Sequence, residues 1–448
     1  RIEDALLARD RSDPTAARWF ARARGRLAEL DAAAGERGRA LTGAEGALAM
    51  LYGCASQVGE TPVIAADIAD AEMRVAAFDL DNGNANSARR RLNAAIQRYE
   101  ALAVTEPMEP HWRAVLADAW SLAAEADYVR GAKPDARGAM DKALQARLGL
   151  ASQYGEAWAL AGTWRVRAAL LAAIDDTGGA AESLAQARVL AERLYAAAHG
   201  GDMQARFLVH TMLDQADHGL RERDVETARE AADSARKVCE GFASASEAAP
   251  TWFSEAASCW DRLGEAARMA GAGAKAQDAF ARAVEFRRLS CDADRSNVRF
   301  KRGLAAALIK MGESALAANA PASARSAFLE STNLRLALAE AAPKDAASAH
   351  MLAVALERLG LAARACGDSH AARGAWEEEL ELAERIFEDS ESIEALRFRA
   401  IVEGHLASLG GADADVRRRS ALTRLDSLAQ AGVLTTQEAA LRKRLWST

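Results

Sequence analysis

An apolar pattern with a long period organises this chain. Ala40, Ala88, Ala136, Ala180, Ala228, Ala276, Ala324 and Ala372 follow one another at 48 residues, with a single step of 44 between Ala136 and Ala180. Four residues after each alanine stands an apolar position, bulky in Leu92, Met140, Leu184, Phe280, Phe328 and Trp376 and small in Ala44 and Ala232. Three further on comes a small residue, as in Ala47, Ala95, Ala143, Ala187, Ala235, Ala283 and Ser331. Offsets of four and three put these positions on one helical face. The pattern therefore predicts eight copies of one helical unit rather than a domain with a single core. Strand-type alternation is missing, so the expected fold class is all-α.

A second pattern keeps the same register. Sixteen residues before the alanine stand Trp120, Trp164, Met212, Trp260, Leu308 and Leu356, and thirteen and twelve before it stand Leu27-Ala28, Leu263-Gly264, Met311-Gly312 and Leu359-Gly360. With these residues the chain resembles the tetratricopeptide repeat family, most closely from Trp260 through Leu263, Gly264, Ala276, Phe280 and Ala283. It departs from the signature at Ala267, Ala315 and Ala363, where the family has tyrosine, and its period exceeds the usual ~34 residues. The resemblance implies an α-solenoid of antiparallel helix pairs, a long-period variant of that superhelix. Packing chemistry agrees: small Gly264, Gly312 and Gly360 and the periodic alanines let helices approach, while Phe280, Phe328 and Trp376 fill the adjoining gap. The extra length amounts to about seven residues, roughly 10 Å, on each helix of a pair. Longer helices are expected, not longer loops.

Boundary residues mark where those helices begin. Pro62, Pro110 and Pro250 suit the opening turn of a first helix, where the missing donor would have no intrahelical partner. Asp81-Asn82-Gly83-Asn84, Gly131-Ala132-Lys133-Pro134, Asp176-Thr177-Gly178-Gly179, Gly271-Ala272-Gly273 and Gly367-Asp368-Ser369 supply turns between paired helices. The step of 44 reads as a local deletion of about one helical turn. Residues 1–13 read as the tail of a preceding helix and a loop, with further chain expected upstream; residues 14–411 as one array of eight helix pairs; and residues 412–448 as C-terminal capping helices. Arg417-Arg418-Arg419 and Arg442-Lys443-Arg444 give that last segment its polar character.

Half of the residues are apolar but only 6% aromatic, which suits thin interfaces packed by alanine and leucine. The net charge of −7 disfavours nucleic acid and anionic lipid as partners of the chain as a whole. No apolar run approaches the ~18 residues of a membrane span. Cys54, Cys239, Cys259, Cys291 and Cys366 lie far apart in sequence and read as buried, reduced thiols of a cytoplasmic protein; an upstream leader would change that assignment. The alanine and arginine bias points to a bacterial source.

The sequence offers no catalytic set. Phosphate loops, His-Glu-x2-His helices, kinase catalytic loops and nucleophile elbows are all missing, and no cofactor or metal is called for. His210, Asp214, Asp217 and His218 have spacings that a metal site could use, but they read as solvated positions on a first helix. Glu377-Glu378-Glu379 with Glu381 reads as a solvated face, and the tryptophans read as helix-packing residues.

What remains is surface. By the resemblance, first helices line a concave face, and its exposed positions include Asp118, Ser121, Glu125 and Tyr128 in one repeat and Arg165, His210, Asp214 and Asp217 in the next two. Asp261, Glu265, Arg268, Glu313 and Glu357 continue the series. The lysine and asparagine clamp of the family's chaperone-binding members is absent at these positions. An acid-leaning face suits a protein or peptide partner of basic or mixed charge. The expected function is a non-catalytic protein-binding scaffold. Two alternatives stand beside it: the sensory or regulatory region of a larger bacterial kinase or caspase-like protease, and a peptide-sensing regulator.

Overall fold

The structure, a computed structural model, describes residues 14–150, 154–245, 250–343, 345–387 and 393–447. The expected helix tail at 1–13 lies outside the described residues. The chain falls into two compact units, one within residues 1–218 and the other within 219–448. Every regular element described is an α-helix.

In the first unit, α1 (Pro14–Ala33) packs on α2 (Arg37–Val58) and α3 (Pro62–Asp81) on α4 (Ala85–Thr105). Next come α5 (Pro110–Val129) with α6 (Lys133–Leu148) and α7 (Tyr154–Ala173) with α8 (Thr177–Ala197), after which α9 (Asp202–Glu222) begins. The second unit contains α10 (Val225–Ala245), then α11 (Pro250–Met269) with α12 (Gly273–Ala293), α13 (Val298–Ala317) with α14 (Pro321–Ala341) and α15 (Ala346–Ala365) with α16 (Ser369–Phe387). It ends with α17 (Ile393–Ser408), α18 (Ala414–Gln430) and α19 (Thr436–Ser447).

The 48-residue register is the packing register. All eight periodic alanines sit on second helices and are buried, as are the bulky residues four positions on, from Leu92 to Trp376, and the small residues after them, from Ala47 to Ser331. Because the alanines have no side chain beyond Cβ, the paired helices close on one another, and each large neighbour contributes about 1.5–3 kcal/mol by its burial. The aromatic rings press on the first helix of their own pair: Phe280 on Gly264, Phe328 on Gly312 and Trp376 on Gly360.

Length went into the helices. α1, α3, α5, α7, α11, α13 and α15 each run 20 residues, and α3, α5 and α11 start on the expected prolines. The 44-residue step falls on α6, which has 16 residues where α4 has 21. Each pair then turns through one residue of positive φ, at Gly35, Gly83, Gly131, Asp175, Arg223, Gly271, Asn319 and Gly367. These eight positions repeat the register of the alanines, including the short step.

The last helices share a cluster of Ala400, Ala407, Ala421, Leu425, Leu428, Leu441 and Leu445. Thr435 and Glu438 open α19 as a reciprocal capping box, with Thr435 N donating to Glu438 Oε2 at 2.7 Å and Glu438 N to Thr435 Oγ1 at 3.3 Å.

Candidate partner-binding surface

The candidate residues lie on first helices, and Arg165, Asp214 and Glu313 among them are paired across successive first helices. In the first unit the Arg165 guanidinium of α7 holds Asp214 of α9 at 2.6 Å and lies over the Phe207 ring at 5.3 Å. Asp214 remains partly exposed, His210 is exposed and Asp217 half-buried on the same helix. Tyr128 stands exposed near the end of α5. Asp118 on that helix binds Arg147 of α6 at 2.5 Å, Ser121 donates to Ala117 O and Glu125 is exposed.

In the second unit Glu265 and Arg268 form a pair within α11 at 2.7 Å, with the guanidinium largely in solvent. Glu313 of α13 accepts from Arg358 of α15 at 3.0 Å. Glu357 binds Arg358 at 3.4 Å and His405 at 3.6 Å. Burial would raise the Glu357 carboxyl, but the His405 bond and Arg358 outweigh it and hold its pKa below the ordinary value.

Asp261 is not an exposed position. It is only 7% exposed, 3.9 Å from both Arg287 and Lys310, with Oδ1 lacking a hydrogen bond. Burial pushes its pKa up against the pull of Lys310, Arg287 and Arg262. The reason is periodicity, since Ala257 and Gly264, four before and three after, are both buried and Asp261 shares their face.

Glu379 likewise departs from the reading of a solvated run. Glu378 and Glu381 are exposed, but Glu379 is only 2% exposed because it lies between buried Trp376 and Ala383 at offsets of three and four. Its Oε2 has no hydrogen-bond partner. Burial, with Glu357 nearby, drives its pKa well up, and Arg358 only partly opposes that. His218, read as solvated, is buried with Nδ1 unbonded. The thiols also divide: Cys54, Cys239 and Cys259 are buried as expected, whereas Cys291 is half-buried and Cys366 exposed. The fold brings Cys239 and Cys259 together, Sγ to Sγ 3.8 Å, although they are far apart in sequence. Among the described residues no group of three His, Cys, Asp or Glu is arranged to hold a metal ion, and no helix is long and apolar enough to cross a membrane.

Six ion pairs of arginine or lysine between successive first helices follow one rule that the sequence reading missed. Arg18 and Arg22 meet Asp67, Arg74 meets Glu29, Arg165 meets Asp214, Lys310 approaches Asp261 and Arg358 meets Glu313. Every separation is 45 or 49 residues. Those offsets are one period shifted by three residues back or one forward, and they differ by one helical turn. Opposite charges at these spacings were the available signal.

No protein-family model matches the chain, and neither does any curated protein. Solved structures do. The apo form of RapI superposes with a TM-score of 0.51 over 85% of this chain and 98% of its own, at 9% identity. A signal transduction ATPase with numerous domains from Pyrococcus horikoshii, carrying a tetratricopeptide repeat sensor, gives a TM-score of 0.50 at 11% identity. That match covers 86% of this chain and 55% of the ATPase. The fold is a tetratricopeptide-type helical array. Identities this low establish the architecture, and the register of Trp260, Gly264, Ala276 and Phe280 now has its structural meaning as the seam between paired helices.

Proposed function

We propose that this chain is a non-catalytic protein-binding scaffold whose partners dock on the first-helix faces. The observation that carries the reading is the set of carboxylates that pair across first helices yet stay partly open to solvent, above all Asp214 and Glu313. A lysine or arginine of a partner can share such a carboxylate without desolvating a lone charge, which favours specificity and salt-sensitive association. The face in the first unit comprises Tyr128, Arg165, His210, Asp214 and Asp217. In the second unit it comprises Glu265, Arg268, Glu313 and Glu357, with Asp261 removed from the contact set because it is buried. In this reading residues 14–411 form the array and 412–448 its terminal cover.

Charge reversal tests it. Asp214→Lys, Asp217→Lys, Glu265→Lys and Glu313→Lys, combined in a chain shown by circular dichroism to stay helical, should weaken a captured partner at least about tenfold and flatten its salt dependence. Glu378→Lys with Glu381→Lys on α16 should change little. Equal effects of the two sets would move the docking surface off the first helices.

A sensory or regulatory role within a larger signalling protein is the second reading. The array of the Pyrococcus horikoshii ATPase, described as a sensor, supports it as an architectural parallel. The extent of the native reading frame upstream of Arg1 decides it, since an ATPase, kinase or protease domain there would make this chain the regulatory part.

A further inference from the structure

We infer that the cavity at Arg335 is a binding site for a small monocarboxylate bearing a short apolar group. The cavity measures about 200 Å³ and opens between the start of α13, the end of α14 and the start of α15. Its walls are mostly apolar, from Ala305, Ala306, Leu338 and Met351. Two guanidinium groups line it: Arg302, which is neutralised by Asp345, and Arg335, itself only 7% exposed. Its Nε donates to Ser331 Oγ at 3.3 Å and its Nη1 to Met351 O at 2.8 Å, and no described residue supplies an acceptor for Nη2 or a carboxylate for the charge. Burial alone lowers the pKa of Arg335.

A buried cation without a counter-charge is costly, and a fold retains one where something else supplies the anion. The mouth does not supply it. Asp345 is engaged there by Arg302 Nη2 at 2.9 Å, by Ser348 Oγ at 2.7 Å and by the amide of Ala347 at 3.1 Å.

The preceding repeat provides an internal control. Arg287 lies one period before Arg335 and is half-buried, but it donates to Ser254 Oγ at 2.5 Å and Ser258 Oγ at 2.9 Å and faces Asp261 at 3.9 Å. One period later those three positions hold Arg302, Ala306 and Ile309. Both hydroxyl acceptors and the counter-charge have been replaced, and the cavity lies beside two of the replacements, Arg302 and Ala306. The arginine is kept and its neutralising partners are removed.

The ligand chemistry follows from this. One uncompensated guanidinium calls for one negative charge with two oxygens, and the walls call for an alkyl or small aromatic group. A cavity near 150 Å³ holds a molecule of about the size of benzene, so this one takes a short branched or linear acid. A phosphate dianion would place its second charge against apolar walls. The same chemistry could come from a free metabolite or from the last residue of a peptide.

Titration of the 448-residue chain by calorimetry and ligand-observed NMR tests the site. The probes are isovalerate, hexanoate, isovaleramide, inorganic phosphate, and a tetrapeptide ending in leucine with a free or an amidated terminus. Saturable binding of one carboxylate per chain is expected, with isovaleramide and the amidated peptide silent. The stronger binder of free acid and free-terminus peptide identifies the source. Arg335→Met, which removes the buried charge and should keep or raise thermal stability, is expected to weaken binding at least about tenfold. Ile309→Asp and Ala306→Ser, which restore the partners of the preceding repeat, should each weaken it as well. Absence of saturable binding by any carboxylate, binding unchanged in Arg335→Met, or preference for phosphate overturns the assignment.

Discussion

A Cβ placed on Gly264 would lie 2.6 Å from Cε1 of Phe280, closer than real carbons approach. The ring occupies the space that a side chain on the first helix would need, and Gly312 with Phe328 and Gly360 with Trp376 repeat the arrangement. Gly264→Ala should therefore overpack the seam and cost about 1–3 kcal/mol in denaturant unfolding, despite the better helix propensity of alanine. Phe280→Leu should cost stability alone yet recover part of the loss when combined with Gly264→Ala. Strict additivity of the two would show that ring and glycine do not share the space. Ala324→Leu, at a position with no exposed surface, should show the same overpacking.

The turn register makes a prediction of opposite sign. Arg223 sits at φ 60 where five of the eight equivalent turns have glycine. A left-handed backbone is strained for a side-chain-bearing residue and free for glycine. Arg223→Gly should stabilise the second unit by about 0.5–1 kcal/mol. A loss of stability would mean that the arginine side chain contributes more than its backbone costs.

Thiol chemistry separates the cysteines. Cys366, exposed at the end of α15, should react first with a neutral-pH disulfide reagent, and Cys291 more slowly. Burial raises the pKa of Cys54, and the Cys259 contact together with burial raises that of Cys239, so both should stay unmodified until the chain unfolds. Early labelling of Cys239 in folded protein would contradict the packing of α10 on α11.

Fold was legible because its cause is local and repeated. Each periodic alanine marks a helix contact that recurs under one set of constraints, so eight copies reinforce one another in the sequence. The turns were half legible: Gly83, Gly131, Gly271 and Gly367 announce themselves, while Asp175 and Arg223 take the same conformation without the residue that signals it. The candidate surface was less so. Asp214 and Glu313 were placed on the right helices, but their partners Arg165 and Arg358 sit one repeat away, and only the inter-repeat geometry fixes the offset. Asp261 and Glu379 were misread by charge alone, although buried neighbours at three and four residues gave the contrary signal. The Arg335 cavity was invisible because it depends on what Arg302, Ala306 and Ile309 fail to provide.

Glu379 gives the pH dependence its sign. Its folded pKa is raised well above the ordinary glutamate value by burial and by Glu357, with Arg358 as the opposing charge. His405 faces the same Glu357 from α17, 3.6 Å away, and stacks on Trp376. Between the unfolded pKa of about 4.3 and the raised folded value, the native state holds a proton that the unfolded chain has released. Stability from this group therefore falls as pH rises through that window, and it does not recover at higher pH. Asp261 and Glu403, whose pKa values burial also raises, act in the same direction, whereas Glu357 acts in the opposite one. Glu379→Gln keeps the shape and removes the ionisation, so it should stabilise the chain at pH 8 by about 1–3 kcal/mol and leave it nearly unchanged at pH 4.5. Unfolding curves in urea at the two pH values measure the difference. A Glu379→Gln effect equal at both would mean that the carboxyl is ionised in the folded chain and neutralised by Arg358, and the buried-acid account would be wrong.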